Sequence, residues 1–533
     1  MSLTPIRKVM LGVVALLMLV VAACWRQTSP PPAPQSWTMT LVGQWGSAPN
    51  APTVWSSSYQ VIMTPTVMNL GLTSQHAQVA FVSFDTLAHA NADQSGVLRV
   101  INEQGHEIAR FPDPSLVSLI PPSCSLAYPN LNTVPHLSPT SGLALGKLLP
   151  NQPAMIIGVL DDHTTNNGGI IAFRLSGNAV TGGLTPLWCS QPLPVGDSIP
   201  RATAPTIAQL DPPGNPPSIV IDNKVYDSTG NLRYTGFNSG SGNCANCPRS
   251  RTTIVADLSG GTGLPAIITG GGIYFSTSNT IWTGPIGASM WNPLKFPAIT
   301  GLAYPAVADL DHDGNPEIIV TDAQAQMLRV FSNSIPPIAV PMPINVLGSH
   351  CGGPPMLVDV DNDGIPEIGV ATCDSYTLFK YTGGTLKALW SNGISDLSGD
   401  TTSTAFKDPS GLVRIYYGDE TFLYVFNGLT GAVLQTTLNT SATAIEGPVI
   451  AGFDTGGASN NLSPGRLIVS SNSPTFPPHG IRIFSDSSIG LARCVWNTHT
   501  YHRTNVADST GDIPVPEPPS WVQPINSYRV QQW

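Results

Sequence analysis

The amino-acid sequence predicts an all-β fold, a single β-propeller of four-stranded blades, and its pattern is compatible with either seven or eight blades. Three observations support this. Charged residues make up only 11% of the chain while Gly and Pro number 51 each, which favours short strands and tight turns over helices. An acidic phrase recurs, and its two best copies begin at Asp309 and Asp359, 50 residues apart. A second, apolar phrase follows several of these copies.

The N-terminus has the pattern of a sorting signal. Two basic residues precede the apolar run Val9–Ala23, which is too short to span a bilayer comfortably but suits a signal peptide. The run ends in Val21-Ala-Ala-Cys24, which resembles the lipobox of bacterial lipoproteins, with Val where Leu is usual. We expect a signal peptide over residues 1–23 and lipidation of Cys24. Ordinary secretion with cleavage nearby and a retained transmembrane anchor are the alternatives.

A Pro-rich stretch, residues 24–36, follows the signal at once. Such a stretch stays extended, and at about 3.1 Å per residue it would hold the folded body roughly 35–40 Å from the lipid. The sequence therefore predicts a tether, attachment to the membrane through Cys24, and a place in the cell envelope, at the outer membrane or cell surface of a bacterium.

The charge balance bears on the partners. The formal net charge is −10, so no basic face is available to neutralise phosphates, and nucleic acid is not an expected partner. An acidic chain suits divalent cations instead.

Besides Cys24 there are seven cysteines, an odd number, so at least one is free or pairs between chains. Cys244 and Cys247 form a C-x-x-C pair in a polar loop, for which a local disulfide is favoured over half of a zinc site. Cys351 and Cys373 flank one repeat and are candidates for a bridge within it. The sequence leaves the connectivity open.

The repeats account for the body of the chain. Eight positions begin an apolar strand followed by a turn and a second apolar strand, some of them faintly. These anchors are Pro65, Thr140, Pro205, Thr253, Pro305, Pro355, Ser403 and Pro448. The apolar strand of each is expected to line the central channel, and Trp37–Trp45 to close the ring by joining the last blade.

The second phrase predicts the third strand of a blade. It appears as Leu98–Ile101, Leu328–Phe331, Leu423–Phe426 and Ile481–Phe484. Turn residues recur beside such strands, as in Asp227–Gly230 and Asn427–Gly431, and predict a hairpin into a fourth strand. An array of β-sandwiches is the rival fold, but its repeat would be nearer 90–100 residues.

Two acidic loops carry the pattern D-x-D-x-D-G-x-x-E, in which alternate carboxylates turn inward and Gly permits a sharp bend. Hard oxygen ligands in this number suit calcium, and we expect two structural Ca²⁺ ions; an empty, solvated acidic turn is the alternative. The predicted ligands of the first loop are Asp309, Asp311, Asp313, the carbonyl of Asn315, and Glu317. Those of the second are Asp359, Asp361, Asp363, the carbonyl of Ile365, and Glu367.

With these loops in place, the chain resembles the FG-GAP/VCBS repeat proteins, whose relatives include the integrin α propellers. The resemblance covers roughly residues 37–514. The segment Arg493–Val506 is similar to a terminal signature of bacterial members, with Thr498 where Gln is usual. The resemblance implies a propeller over residues 37–490 and a C-terminal closing segment, residues 491–533, packed on it.

His499 and His502 lie in this closing segment and invite a metal or catalytic interpretation, but no third ligand is evident. A packed aromatic and polar seal over the propeller bottom is favoured. No nucleophile elbow, phosphate loop or H-E-x-x-H pattern occurs in the chain.

The favoured function is a non-catalytic adhesion or recognition module for a protein or glycan. An extracellular propeller enzyme acting on polysaccharide and a structural part of an envelope complex are the alternatives. The partner surface is expected on the long insertions Asp85–Ser95, Pro112–Thr140 and Gly236–Arg251.

Overall fold

The computed structural model describes most of the chain from residue 39 onward. The described residues are 39–72, 75–85, 96–113, 120–127, 131, 137–160, 168–177, 182–193, 199, 202–211, 213–235, 249–250, 252–258, 265–276, 291–296, 299, 302–332, 339–344, 351–396, 398–408, 410–455, 462–472, 477–507 and 510–531. The predicted signal peptide, Cys24 and the predicted tether lie outside them, as do Cys244, Cys247 and most of the three insertions. None of the helices within these ranges has the length and apolar character of a membrane span.

The fold is an eight-bladed β-propeller of four-stranded antiparallel blades, which confirms the predicted fold class and decides between seven and eight blades. Blades are numbered in chain order, and each is given from its first to its fourth strand. Blade 1 has Thr66–Met68, Gln78–Asp85, Val97–Ile101 and Glu107–Phe111, and Ser58–Gln60 also pairs with its second strand. Blade 2 has Ala144–Gly146, Met155–Leu160, Gly169–Gly177 and Gly182–Cys189. Blade 3 has Thr206–Ala208, Ser218–Ile221, Lys224–Tyr226 and Leu232–Thr235. Blade 4 has Thr253–Ala256, Ala266–Thr269, Gly272–Ser276 and Trp291–Lys295.

The second half of the ring repeats this order. Blade 5 has Leu302–Ala308, Glu317–Asp322, Met327–Phe331 and Ala339–Pro343. Blade 6 has Met356–Val358, Glu367–Ala371, Ser375–Thr382 and Thr385–Gly393. Blade 7 has Ser403–Lys407, Val413–Gly418, Phe422–Asn427 and Val433–Leu438. Blade 8 has Val449–Ala451, Arg466–Ser471 and Gly480–Ser485, with Thr40–Trp45 as its fourth strand. The remaining elements are the short strands Arg249–Ser250, Leu462–Pro464, Leu491–Arg493 and Val530–Gln531 and the helix Pro122–Ala127.

The sequence repeats correspond to fixed positions in the blades. All eight anchors begin within, or up to four residues before, a first strand, and the four copies of the second phrase lie in third strands, as predicted. First strands of successive blades contact one another and form the inner wall of the ring. These strands are apolar because both of their faces are covered; Ile207, Ala306 and Leu357 are each 0% exposed.

The ring is closed by its first segment. Thr40–Trp45 pairs antiparallel with the third strand of blade 8, Gly480–Ser485, which confirms the predicted closing strand. Trp45 is buried, and its indole N–H donates to Glu107 in blade 1 at 3.1 Å. The closing strand therefore ties the last blade to the first, and no terminal edge is left at this point of the ring.

The C-terminal segment runs along the inner edges of the first strands. Trp496 pairs with Val67 of blade 1 through two backbone hydrogen bonds of 2.7 and 2.8 Å. Tyr528 pairs with Leu357 of blade 6, and Val530–Gln531 forms a short parallel strand with blade 7. First strands have no blade strand on their inner side, so their backbone groups there need other partners. The C-terminal segment supplies them in blades 1, 6 and 7, and Arg249–Ser250 pairs with the first strand of blade 5.

Two disulfides lie in the described part of the chain. Cys351 and Cys373 are bonded, as the sequence suggested, and Cys124 is bonded to Cys189. Cys494 is a free, buried thiol whose Sγ lies 3.4 Å from the Ser463 hydroxyl. Burial raises its pKa to about 11, so it behaves as an inert core residue.

Candidate metal centre

The first acidic loop, residues 309–317, joins the first two strands of blade 5 and is called the blade 5 loop. Both carboxylate oxygens of Asp309 accept backbone hydrogen bonds, from His312 at 2.7 Å and from Gly314 at 3.1 Å. Glu317 closes the loop by accepting the N–H of Leu310 at 2.7 Å. His312 and Gly314 have φ of 62° and 84°, and this left-handed geometry gives the tight bend that the Gly predicted.

The second acidic loop, residues 359–367, is the blade 6 loop and repeats each of these contacts. Asp359 accepts from Asn362 at 2.6 Å and from Gly364 at 3.1 Å. Glu367 accepts the N–H of Val360 at 2.9 Å. Asn362 and Gly364 have φ of 63° and 88°. The two loops are therefore the same structure built twice, as the sequence repeat predicted.

Each loop brings three carboxylates to one point, with one oxygen from each lying within 4.8 Å of the others. These groups are Asp309, Asp311 and Glu317 in blade 5, and Asp359, Asp361 and Glu367 in blade 6. Asp313 and Asp363 do not belong to these two groups of carboxylates. Asp313 accepts the N–H of Asn315 at 2.7 Å, and Asp363 accepts the N–H of Ile365 at 2.9 Å. An all-oxygen donor set of this kind fits a hard divalent cation, so either loop can hold a metal ion.

Electrostatics in the blade 5 loop favour a cation. Glu317 is only 5% exposed. Burial, together with the neighbouring Asp carboxylates and against the Leu310 hydrogen bond, raises the pKa of Glu317 to about 8. Among the described residues, no Lys or Arg forms an ion pair with this loop. When its carboxylates are charged, they therefore repel one another unless a cation joins them.

The blade 6 loop differs, because a lysine reaches into it. Lys380 lies on the third strand of blade 6, and its ammonium is 2.5 Å from Asp361, 2.7 Å from Asp363 and 2.9 Å from Glu367. Burial opposes the charged ammonium, but these three carboxylates outweigh it and raise the pKa of Lys380. Burial raises the pKa of Glu367 to about 7.

Protein cations also pair with the acidic residues at related loops that have lost ligands. In blade 3, Arg233 forms two hydrogen bonds with Asp211, at 2.7 and 3.0 Å, and Asp211 stands in the repeat where Asp311 and Asp361 stand. In blade 7, Asp408 follows the first strand and lies 2.7 Å from Arg414. Carboxylates at these loops are thus neutralised by the chain itself.

The C-terminal segment contacts both acidic loops. Asn526 makes a reciprocal pair with Asp309, accepting its N–H at 3.1 Å and donating to its carbonyl at 2.7 Å. Gln523 donates to the carbonyl of Gly364 in the other loop. Each acidic loop is therefore held between its blade and the C-terminal segment. No local pattern in the sequence indicated these contacts.

His499 and His502 are buried in packing contacts, and neither belongs to a metal-binding cluster of the described residues. Nδ1 of His499 lies 2.9 Å from the Thr64 hydroxyl. Nε2 of His502 lies 2.5 Å from Glu517. Burial opposes the charged form of His502, but Glu517 raises its pKa. These contacts fit the expected packing of the segment, which lies along the inner edges of the first strands.

Several solved structures align with this chain, to different degrees. The biofilm matrix protein Bap1 of V. cholerae aligns over 93% of this chain and 99% of its own, with a TM-score of 0.59 and 14% identity. The rhamnogalacturonan lyase YesW aligns over 73% of this chain and 62% of its own, with 14% identity and a TM-score of 0.38. BBS1N in complex with ARL6DN aligns over 64% of this chain and 91% of its own, at 11% identity and a TM-score of 0.34.

The identity with Bap1 is low, so that similarity shows the fold alone. TM-scores below 0.5 leave the other two without bearing on fold or function. No protein-family model matches the chain, and no curated protein matches it.

Proposed function

We propose that this chain is a calcium-binding propeller of the FG-GAP/VCBS type, anchored to the bacterial cell envelope by lipid on Cys24. It acts there as a non-catalytic module for adhesion or for recognition of a protein or glycan. The observation that carries the calcium assignment is the pair of matching all-oxygen loops, each with three carboxylates within 4.8 Å and a closing Glu that is at least 95% buried. The ions have a structural role, because they join the first two strands of a blade.

The burial of several titratable groups with shifted pKa values supports a binding role over a catalytic one. An enzyme site needs titratable groups with shifted pKa values that a substrate can reach. In the described part of the chain, Glu446, Tyr417, His499 and Arg529 have strongly shifted pKa values, and all four are buried. The C-terminal segment lies over the inner edges of several blades, so substrate access there is restricted.

The exposed apolar side chains also support a binding role. Large apolar side chains are exposed on the outer part of blades 6 and 7, including Leu389 at 41%, Val433 at 48% and Leu438 at 50%. Exposed large apolar side chains on neighbouring blades are candidates for an interaction surface. The similar fold of Bap1, a biofilm matrix protein, is compatible with a role outside the cell.

Lipidation of Cys24 is tested by fractionation. A Cys24→Ser variant is expected to lose acyl labelling and to move from the membrane to the soluble fraction, because the thiol that carries the lipid is gone. Cys494→Ser is the matched control and should stay in the membrane fraction, since Cys494 is buried in the propeller. A Cys24→Ser protein that still fractionates with membranes would show that the signal has been misread.

The binding role is tested with the full chain on a glycan array and in pull-down from envelope extracts, with calcium and with chelator. We expect a saturable ligand whose capture weakens on chelation, and no turnover of the polysaccharides tested. A double variant, Leu389→Ser with Val433→Ser, tests the exposed surface of blades 6 and 7, with Leu41→Ser on blade 8 as its control. Turnover of a polysaccharide by the purified chain would overturn the non-catalytic role.

A further inference from the structure

Lys380 makes the two acidic loops chemically unequal, although their backbones match. The blade 5 loop holds four carboxylates and no described ion pair, whereas the blade 6 loop holds four carboxylates and the ammonium of Lys380. That ammonium contacts Asp361 and Glu367, two of the three residues that the loop brings together for a metal. A divalent cation at the blade 6 loop would have to displace it.

The position of Lys380 in the strand ladder has an equivalent in blade 5. Phe379 pairs with Ile368 in blade 6, and Phe331 pairs with Ile318 in blade 5. The next residue along the third strand is Lys380 in one blade and Ser332 in the other. One side-chain position therefore carries a cation beside the closing Glu in blade 6 and a neutral hydroxyl in blade 5.

Two other blades also pair an acidic residue of the loop after their first strand with a cation of the chain, although that cation comes from a different strand. Arg233 pairs with Asp211 in blade 3, and Arg414 pairs with Asp408 in blade 7. In both blades the full ligand pattern is lost and an arginine neutralises the acidic residue that remains. Blade 6 is different, because its loop keeps every carboxylate of the ligand pattern and also has a protein cation, Lys380.

The blade 5 loop, in contrast, has no protein cation among the described residues. Glu317 is 5% exposed and uses one carboxylate oxygen for the N–H of Leu310. Its other oxygen has no donor or cation among the described residues, and it faces Asp309 and Asp311 in the cluster. A buried carboxylate among like charges is unfavourable without a positive partner.

We propose that Lys380 serves as the resident counter-ion of the blade 6 loop, so that the chain binds one divalent cation tightly, at the blade 5 loop, and a second only weakly. This rests on the proposed calcium binding. The affinity of such loops is set by ligand charge and rigidity, and an ammonium among the ligands lowers the net negative charge by one. We expect the two dissociation constants to differ by at least about tenfold.

The test is a calcium titration of the full chain in detergent by calorimetry, with terbium luminescence as a second readout. Wild type should show one tight site and Lys380→Ser two. Ser332→Lys should show none, because both loops then carry a lysine. Asp311→Ala and Asp361→Ala assign each site to its loop. Lys380→Met, which keeps the apolar stem, repeats the Lys380→Ser test if that variant folds poorly.

Two sites of equal affinity in wild type, unchanged by Lys380→Ser, would overturn the counter-ion role while leaving calcium binding intact. A tight site that Asp361→Ala removes and Asp311→Ala leaves would overturn it too. If wild type and both exchange variants bind no calcium, the proposed calcium binding fails and the counter-ion role with it. The two failures are therefore distinguishable.

Discussion

Removal of calcium is expected to lower the melting temperature of this propeller. The blade 5 and blade 6 loops each join the first two strands of a blade, and the carboxylates gathered in the blade 5 loop have no protein cation among the described residues to offset their repulsion. Any ion that binds only the folded state stabilises it by mass action, by about 3–4 kcal/mol when its concentration is 100 to 1,000 times the dissociation constant. The measurement is thermal unfolding at a fixed scan rate, with calcium and with chelator.

The double variant Asp311→Ala with Asp361→Ala should lose most of this calcium dependence. Both residues belong to the clusters, and Asp311 is exposed, so its replacement removes a ligand without emptying the core. Asp211→Ala is the matched control from blade 3, where Arg233 pairs with the carboxylate. It should lower the melting temperature equally in both conditions. Identical melting of wild type with and without chelator would contradict a structural role for the ions.

Truncation of Trp496 is expected to destabilise the whole ring. Its side chain is 0% exposed, it stacks on Tyr501 with ring centroids 4.5 Å apart, and the guanidinium of Arg529 lies 5.5 Å from its ring. Replacing a buried Trp by Ala typically costs about 3–5 kcal/mol, because packing is lost and a cavity remains. The free energy of unfolding, measured by urea titration, should fall by that amount for Trp496→Ala.

Leu429→Ala serves as the control, since Leu429 is 53% exposed and its truncation should change the stability by less than about 0.5 kcal/mol. The same small effect for Trp496→Ala would mean that the C-terminal segment is peripheral to the fold. A large loss would instead show that a segment pairing with the inner edges of the blades stabilises the ring as a whole.

Much of this architecture was predictable because its signals are local. An apolar first strand, a turn and a second strand follow one another within about 20 residues in each blade, and this order is visible even where acidic ligands are lost. The faint anchors at Pro65, Thr140 and Ser403 each begin at or shortly before a first strand. The number of blades stayed open because those three anchors keep the least of the recurring motif.

The candidate site was predictable only in part, for a physical reason. Asp, Gly and Glu at fixed spacing determine the shape of a loop, since they act through the backbone of the same few residues. Lys380 comes from another strand, and its role depends on the register between Phe379 and Ile368. That register was not assigned from the sequence, although aligning the third strands at Phe331 and Phe379 would have placed Ser332 and Lys380 at one position.

The path of the C-terminal segment could not be predicted from the sequence either, because it too depends on pairing between residues far apart in the chain. The pattern marked Trp496 and Tyr501 as residues of a closing segment, but it did not say which unpaired strand edges they would meet. Asn526 and Gln523 carry no local signal, yet they hold the two acidic loops. Long-range pairing of this kind depends on the closed ring, which exists only after all eight blades have formed.

The closing strand has a mechanical consequence. Thr40–Trp45 is the first element after the N-terminal stretch, and it completes blade 8 by pairing with Gly480–Ser485. If the protein is tethered through its N-terminus, any pulling force from shear flow or from a bound partner reaches this strand before the rest of the body. The ladder between this strand and the third strand of blade 8 is therefore the joint that bears the load, and its rupture would open the ring where its two ends meet.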